Sequence, residues 1–189
     1  MLKDLVLNNR SYRSFAPKPR VSKEQIRMWI DLVRRCSSAR NAQPLKYAIV
    51  TDDETCPRLL RHTSWAASLG IQLPPIGHEP SAYVVICHDT TIGPINNFSL
   101  MDVGICAQTL LLAANEEGFG GCMIGAFKAD AVSHILALPE TLTPLLIVAL
   151  GKPDETVVLT EAEEGATRYY RDENNVHYVP KRPLDEIIL

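Results

Sequence analysis

Residues 99–127 read SLMDVGICAQTLLLAANEEGFGGCMIGAF, and this stretch decides the fold class. Ser99 followed by Asp102 has the spacing of a capping signature, which predicts a helix that begins there and runs to about Glu117. Its apolar residues cover more than one face, which is typical of a helix buried in a core. Gly118 stands where a left-handed residue ends many helices. The stretch therefore predicts one central, buried helix.

Apolar runs on both sides of this helix predict strands. Residues 82–87 (AYVVIC) and 145–150 (LLIVAL) are continuous apolar runs, as in buried strands. Residues 122–124 indicate a shorter strand, and residues 47–51 are rich in β-branched and aromatic side chains. Because the strands do not alternate regularly with helices, a doubly wound sheet is disfavoured. We expect an α+β or α/β domain, with α+β favoured.

Other helices are predicted around these strands. Ser22 and Gln25 form a capping box ahead of an apolar face at helical spacing, and this helix should end near Cys36. Three further segments are also expected to be helical: residues 3–9, 54–69 and 129–137.

The C-terminal part of the chain has a different composition. After Pro153 the sequence is first acidic and then polar and aromatic, with little periodicity. This segment is too long for a compact loop, so we expect it to be disordered or to pack against something.

The overall composition excludes several classes of protein. The chain has 189 residues, of which 46% are hydrophobic and 22% charged, and these values disfavour pervasive disorder, collagen and coiled coil. No apolar run approaches the roughly 20 residues of a membrane helix, and the N-terminus does not resemble a secretory signal. The five cysteines form no CxxC pair and the five histidines no paired ligand spacing, so we expect no metal site. We expect a cytoplasmic protein with free thiols and no membrane partner.

The net charge of −3 hides an asymmetry between the two ends. Residues 1–40 contain ten Lys or Arg and three acidic residues, a local charge of +7 on an otherwise acidic chain. Such a segment suggests that the N-terminal part meets an anion. Nucleic acid is one candidate, but aromatic residues do not interleave with the basic ones as a stacking surface requires.

Four segments are candidates for binding chemistry. Arg10-Ser11-Tyr12-Arg13 would bring two guanidinium groups to one anion if it forms a turn, whereas the alternative is a solvated basic arm. Residues 37–44 (SSARNAQP) lie at a predicted helix-to-strand junction, and their amides suit a heterocycle edge unless they are an ordinary connection. Residues 118–127 (GFGGCMIGAF) lack a dinucleotide fingerprint, yet their glycines permit close approach to a flat ligand or form a helix cap and turn. Lys181-Arg182 is the fourth segment.

Taken together and in this order, the segments resemble the FMN-dependent nitroreductase family. The family has an early Arg-Ser-x-Arg-x-Phe, a Pro-Ser-x-x-Asn-x-Gln-Pro-Trp segment, a buried helix that begins Asp-x-Gly, a Gly-rich turn, a Leu-Gly-x-Pro and a late basic pair before Pro-Leu. The matching segments are residues 10–15, 37–45, 102–104, 118–127, 150–153 and 181–186. Two positions depart from the pattern: Ser37 replaces the usual Pro and Leu45 the frequent Trp. These departures bear on substrate preference more than on flavin binding.

The resemblance implies an architecture. Members are homodimers with an α+β fold, in which a central, mainly antiparallel sheet packs with helices around a buried core helix. One FMN lies in each of two sites at the dimer interface. Residues 1–155 would form the FMN-binding domain, and residues 156–189 an arm of the same domain that wraps the partner.

The resemblance also implies roles for individual residues. Arg10, with Arg182 or Lys181, would hold the FMN phosphate, and Ser11 and Tyr12 would contact the cofactor. Arg13 would lie near the pyrimidine edge of the ring. The turn Met123-Ile124-Gly125 would present a backbone N–H to flavin N5. A set from the second segment would reach the partner's flavin: Ser37, Ser38, Ala39 and Asn41, with Gln43 nearby.

The reaction implied is hydride transfer in two steps, from NADH or NADPH to flavin N5 and from there to a nitroaromatic or quinone-type acceptor. No side-chain acid, base or nucleophile is required. Two alternatives stay open: the same fold with another flavin chemistry (flavin-destroying benzimidazole synthase, dehalogenase or azoline dehydrogenase), and a non-enzymatic protein that binds an anion or nucleic acid.

Overall fold

The computed structural model describes residues 1–189, which form five α-helices and eight β-strands. The helices are α1 (Leu2–Asn8), α2 (Lys23–Val33), α3 (Thr55–Leu60), α4 (Asn97–Glu116) and α5 (Ala129–Ile135). The strands are β1 (Phe15–Ala16), β2 (Leu45–Val50), β3 (Ala82–Asp89), β4 (Gly120–Ile124), β5 (Leu142–Pro153), β6 (Val157–Glu161), β7 (Tyr170–Arg171) and β8 (His177–Lys181). Three short 3-10 turns lie at Ala39–Asn41, Ala67–Leu69 and Leu184–Glu186.

The central sheet is antiparallel throughout and is organised around β5. Its path is β1-β5-β3-β2, and β4 also pairs with β5. Val84 of β3 stands opposite Val148 of β5, so the two longest apolar runs of the sequence are neighbours. The α+β class and the antiparallel sheet are confirmed.

Helices cover both faces of this sheet, which explains why β3 is apolar without interruption. Side chains alternate across a strand: Val84 packs in a cluster with α2 and α4, whereas Val85 packs in a second cluster with α3 and α5. Both side chains are fully buried. Burying an aliphatic side chain contributes about 1.5–3 kcal/mol, so both faces stabilise the fold.

Helix α4 is the central helix that the sequence predicts, but it begins earlier. Its N-cap is Asn96, whose Oδ1 accepts the backbone N–H groups of Phe98 and Ser99, while the Ser99 hydroxyl accepts the Asn96 N–H. The expectation that Ser99 is the cap is therefore wrong: Ser99 is its reciprocal partner. At the other end Gly118 has φ +76°, and the left-handed stop is confirmed.

By length and hydropathy alone α4 could cross a membrane, although half of that window is buried within the fold. Contacts with α1, α2, β2, β4 and β5 place it in the protein core.

The helix expected over residues 54–69 is interrupted. Helix α3 ends at Leu60, and the chain then turns toward the end of β4. The Ser64 N–H donates to the Ala126 carbonyl at 2.8 Å, and the indole N–H of buried Trp65 donates to the Thr63 hydroxyl at 2.7 Å. These tertiary contacts override local helical propensity.

The C-terminal segment is ordered, and it packs against its own chain. It forms a second sheet in the order β6-β8-β7, in which β6 and β8 are parallel. Of the two alternatives expected for this segment, packing is confirmed and disorder is wrong, because strands within residues 157–181 pair with one another. The division of the chain at residue 155 and a contact of this segment with a partner subunit stay predictions.

Candidate active site

A cationic cleft of about 330 Å³ lies between the N-terminal segment and the second sheet. Its volume falls in the range of about 300–1,000 Å³ that is usual for small-molecule sites. We call it the cationic cleft, and its lining residues are Asn9, Arg10, Ser11, Arg13, Val157, Tyr169, His177, Val179 and Lys181. The fold thus brings the predicted Arg10, Ser11 and Arg13 together with Lys181, which is distant in sequence.

Arg10 presents an unsatisfied donor at this cleft. One terminal guanidinium nitrogen donates to the Val6 carbonyl at 2.6 Å, which fixes the side chain across the end of α1. Its Nε is buried and has no hydrogen-bond partner within the chain. Because a buried N–H without a partner is costly, this donor suits an anionic ligand in the cleft.

Arg13 is held in one orientation by several contacts. Its Nη1 donates to the Ser11 carbonyl and faces Nε2 of His177, each at 3.3 Å. The guanidinium carbon lies 5.4 Å from the ring centre of Tyr169, a cation–π distance. The two ends of the chain therefore meet at this side chain.

The late basic pair divides between two environments. Lys181 ends β8 and lines the cationic cleft. Arg182 does not line it, and instead donates to Glu186 at 3.3 Å on the exposed 3-10 turn. Within one chain, Lys181 is therefore the member of the pair that joins Arg10.

The side chain of Tyr12 points away from the cationic cleft. Its hydroxyl donates to the Asn8 carbonyl at 2.7 Å, and burial raises its pKa. The ring packs on Gly120, where an added Cβ would lie only 2.6 Å from it. Gly120 therefore makes room for the tyrosine ring, and the Tyr12 backbone N–H donates to the Arg10 and Gly121 carbonyls at 2.9 and 3.0 Å. A contact between Tyr12 and a cofactor stays a prediction.

The turn after β4 is partly accessible. Ile124 is buried at the end of the strand, Met123 is half-buried, and Gly125 is exposed with open space around it. None of the three residues lines the cationic cleft. A backbone contact between this turn and a flavin stays a prediction.

The loop of residues 37–43 is strained and is supported by α4. Arg40, Asn41 and Gln43 all have φ between +49° and +56°, a left-handed conformation that costs roughly 1 kcal/mol or more per residue. The Ser38 hydroxyl donates to the Asp102 carboxylate at 2.6 Å and accepts the Gln43 N–H at 3.0 Å. Such strain is typical of functional loops.

Asp102 connects α4 to this loop. It lies beyond the first turn of α4 and is buried, and its carboxylate accepts from Ser38 and from the Ala39 N–H at 3.4 Å. Its function in the fold is to hold the strained loop.

The loop and the cationic cleft do not form one cavity within a single chain. Ser37, Ser38 and Gln43 line a cleft of about 200 Å³ beside α2, and Ala39 lines another of about 450 Å³ beside α4. Asn41 and Gln43 are exposed, and the Gln43 amide donates to the Asn41 side chain at 2.8 Å. The two groups of predicted cofactor residues thus lie on separate surfaces.

Three residues of the cleft region carried no signal in the sequence: Glu155, Arg171 and His177. The Glu155 carboxylate accepts the backbone N–H of Arg13 and, at 3.2 Å, that of Ser14, and it pairs with Arg171. Only tertiary structure brings these partners together. Burial, assisted by the charges of Arg13 and Arg171, lowers the pKa of His177, which favours the neutral ring that can accept from Arg13.

Four of the five cysteines are buried. Burial raises the pKa of Cys56 and of Cys87 to about 11, as expected of core thiols. All five cysteines are unpaired. The prediction of free thiols is confirmed.

Part of the positive charge of residues 1–40 is engaged in ion pairs. Arg34 and Arg35 both pair with Asp31, and Arg20 pairs with Asp53 at 2.7 Å.

Comparison with known proteins decides the family. The sequence profile described as "Nitroreductase family" matches residues 6–73 and 80–152. The chain belongs to the nitroreductase family. The family assignment covers the N-terminal arginines, the strained loop, α4 and the central sheet, and it makes the chain an FMN-dependent oxidoreductase that uses NADH or NADPH.

Individual relatives agree with this assignment. A putative NADH dehydrogenase/NAD(P)H nitroreductase of Archaeoglobus fulgidus is 26% identical over 85% of this chain and 90% of its own length. An NADPH-flavin oxidoreductase of Vibrio harveyi is 30% identical over 80% of this chain and 65% of its own length. The crystal structure of a nitroreductase family protein from Streptococcus pneumoniae superimposes with a TM-score of 0.72 and 18% identity, covering 100% of this chain and 99% of that one. At that identity the superposition supports the fold alone.

Proposed function

We propose that this chain, as a homodimer, catalyses FMN-dependent transfer of a hydride from NADH or NADPH to nitroaromatic or quinone-type acceptors by a ping-pong mechanism. When bound, FMN supplies the redox chemistry by accepting the hydride at N5 and passing it on. The observation that carries the proposal is the buried, unpartnered Nε of Arg10 in a cleft shared with Arg13 and Lys181. The chain's own residues bind and orient the reactants.

Phosphate binding is the first of these tasks. Arg10 and Lys181 lie near opposite ends of the sequence but line the same cleft. Guanidinium and ammonium groups are the usual phosphate ligands. The unsatisfied Nε of Arg10 would gain an acceptor on binding.

Electrostatic stabilisation is the second task. Arg13 is pre-oriented by Ser11, His177 and Tyr169 before any ligand arrives. A fixed cation beside the pyrimidine edge would stabilise negative charge on the reduced ring without reorganisation. The backbone of Met123-Ile124-Gly125 would supply the donor to N5.

Two features of the chain support the proposal that a second subunit completes the site. Residues 37–43 lie outside the cationic cleft of their own chain, and α4 exposes an apolar stripe of Phe98, Met101 and Ile105. A homodimer that covers this stripe would carry the loop to the partner's flavin. Within the same fold, Ser37 and Leu45 would then influence which acceptor is reduced.

The absorbance spectrum of the purified protein tests the proposal. We expect a yellow protein that releases FMN on denaturation and is bleached by NADH or NADPH under anaerobic conditions. Subsequent addition of a nitroaromatic or a quinone should restore the oxidised spectrum. A colourless protein that takes up no FMN on titration refutes the proposal. Loss of the flavin itself during turnover with oxygen would instead indicate flavin-destroying chemistry.

A further inference from the structure

Glu155 occupies a position between the two parts of the cationic cleft. Its side chain is 2% exposed, and it lies just after β5, where the chain leaves the central sheet for the second sheet. On one side it accepts the N–H groups of Arg13 and Ser14. On the other side it pairs with Arg171, whose side chain is 7% exposed.

The two sides carry different residues of the cleft. The N-terminal segment carries Arg10, Ser11 and Arg13, whereas the second sheet carries His177 and Lys181. Arg171 of β7 stands opposite His177 of β8. Because Glu155 bonds to both the N-terminal segment and Arg171, its ion pair with Arg171 constrains the distance between Arg10 on one side and Lys181 on the other.

We propose that Glu155 is a positioning residue of the cofactor site: through Arg171 and the backbone of Arg13 it sets the spacing of the cations that receive the FMN phosphate. This inference rests on the proposed function. Glu155 itself does not line the cleft.

The energetics favour a carboxylate at this position. A buried carboxylate that accepts from two backbone N–H groups and a guanidinium is satisfied on several sides, as buried charges require. It also offsets part of the repulsion among Arg10, Arg13 and Lys181 while no anion is bound. A neutral amide of the same shape keeps acceptors for the backbone but loses the ion pair.

Comparing flavins with and without the phosphate distinguishes a positioning role of Glu155 from a general structural role. A ligand that touches both sides of the cleft depends on their spacing, whereas a ligand that touches only one side does not. FMN and riboflavin share the same ring and differ in the phosphate. The ratio of their dissociation constants therefore reports the phosphate contribution alone.

The experiment measures dissociation constants of FMN and riboflavin for the apoprotein by flavin fluorescence. For Glu155→Gln we expect FMN affinity to fall about tenfold, the scale of one lost charged interaction, with little change for riboflavin. Asp154→Asn is the matched control, because this neighbouring carboxylate pairs with His78 at 2.7 Å instead. Its ratio should equal that of the wild type.

The possible outcomes separate the two proposals. Equal weakening of both flavins by Glu155→Gln, or no weakening, overturns the positioning role. If this variant does not fold, Arg171→Lys decides by the same ratio: a reduced ratio supports the role and an unchanged ratio overturns it. Wild-type protein that binds no FMN refutes the proposed function itself.

Discussion

At the scale of single residues, Arg13 has the contacts expected of a preorganised cation. It is oriented by Ser11, His177 and Tyr169, whereas Arg20 forms an exposed pair with Asp53. Replacing Arg13 by Ala should slow flavin reduction by NAD(P)H at least about tenfold, because removing one preorganised donor commonly costs on the order of 100-fold. Anaerobic stopped-flow measurement checks this, with Arg20→Ala as control. Equal rates for the two variants remove Arg13 from the site.

His177 makes stability depend on pH. Burial and the charges of Arg13 and Arg171 lower its pKa below the usual value of about 6.5. As the pH falls below that value, the unfolded chain takes up a proton that the folded chain resists, so the free energy of unfolding decreases. Urea denaturation between about pH 7 and pH 5 should show this slope. His177→Gln should reduce it, and the exposed control His134→Gln should not.

The site residues that were predictable from the sequence stand in local motifs, whereas those that were not are brought to the site only by the folded chain. Arg10 and Arg13 stand in one short motif, and the family pattern joins Arg10 with either Arg182 or Lys181. The structure places Lys181 in the same cleft as Arg10. Glu155 reaches Arg13 across 142 residues and is recognised only by the closure of the fold. No local pattern distinguishes it from the other acids of residues 154–164.

At the scale of elements, β4 requires glycine for packing. A Cβ on Gly121 would lie 2.1 Å from the Ala149 carbonyl oxygen and 2.8 Å from Cδ2 of Leu111. Gly121→Ala should therefore destabilise the protein by about 3 kcal/mol, since β4 would have to separate from β5 or α4. Gly125→Ala meets open space and should change stability by less than about 0.5 kcal/mol. Denaturant unfolding of the two apoproteins measures both values, and similar losses would contradict the packing argument.

Elements with strong periodicity or long apolar runs were predictable because their own residues specify them. The capping box of Ser22 and Gln25 forms as expected, with the Gln25 N–H donating to Ser22 at 3.1 Å. Residues 54–69 show the opposite case. Here the burial of Trp65 and the hydrogen bond from the Ser64 N–H to Ala126 are tertiary contacts, which no local pattern in the sequence encodes. The second sheet was missed because its strands are short and two of them pair across a turn.

At the scale of the whole molecule, α4 exposes a stripe of apolar residues that is a candidate dimer interface. Phe98, Met101 and Ile105 recur on one face of α4 at helical spacing, and they are 57%, 61% and 43% exposed respectively. Large contiguous apolar patches of this kind mark interaction sites. The strained loop of residues 37–43 is anchored to the same helix by Asp102. In the proposed homodimer, an interface that covers the stripe would therefore also carry the loop to the partner's flavin.

A substitution that breaks the proposed dimer interface should abolish dimerisation and FMN binding together. Ile105→Glu places a charge on the stripe, and burying it without a partner is unfavourable by several kcal/mol, so we expect a monomer at micromolar concentration. Because the loop then cannot reach a partner's cofactor, the variant should also lose most of its FMN, while circular dichroism remains that of the folded chain. Ile76→Glu is the matched control, since Ile76 is 85% exposed in a distant loop. Sedimentation velocity with absorbance at the flavin band reports mass and cofactor in one experiment. A monomeric Ile105→Glu variant that retains its full FMN content would show that each chain completes its own site, and the assignment of residues 37–43 to the partner's flavin would be wrong.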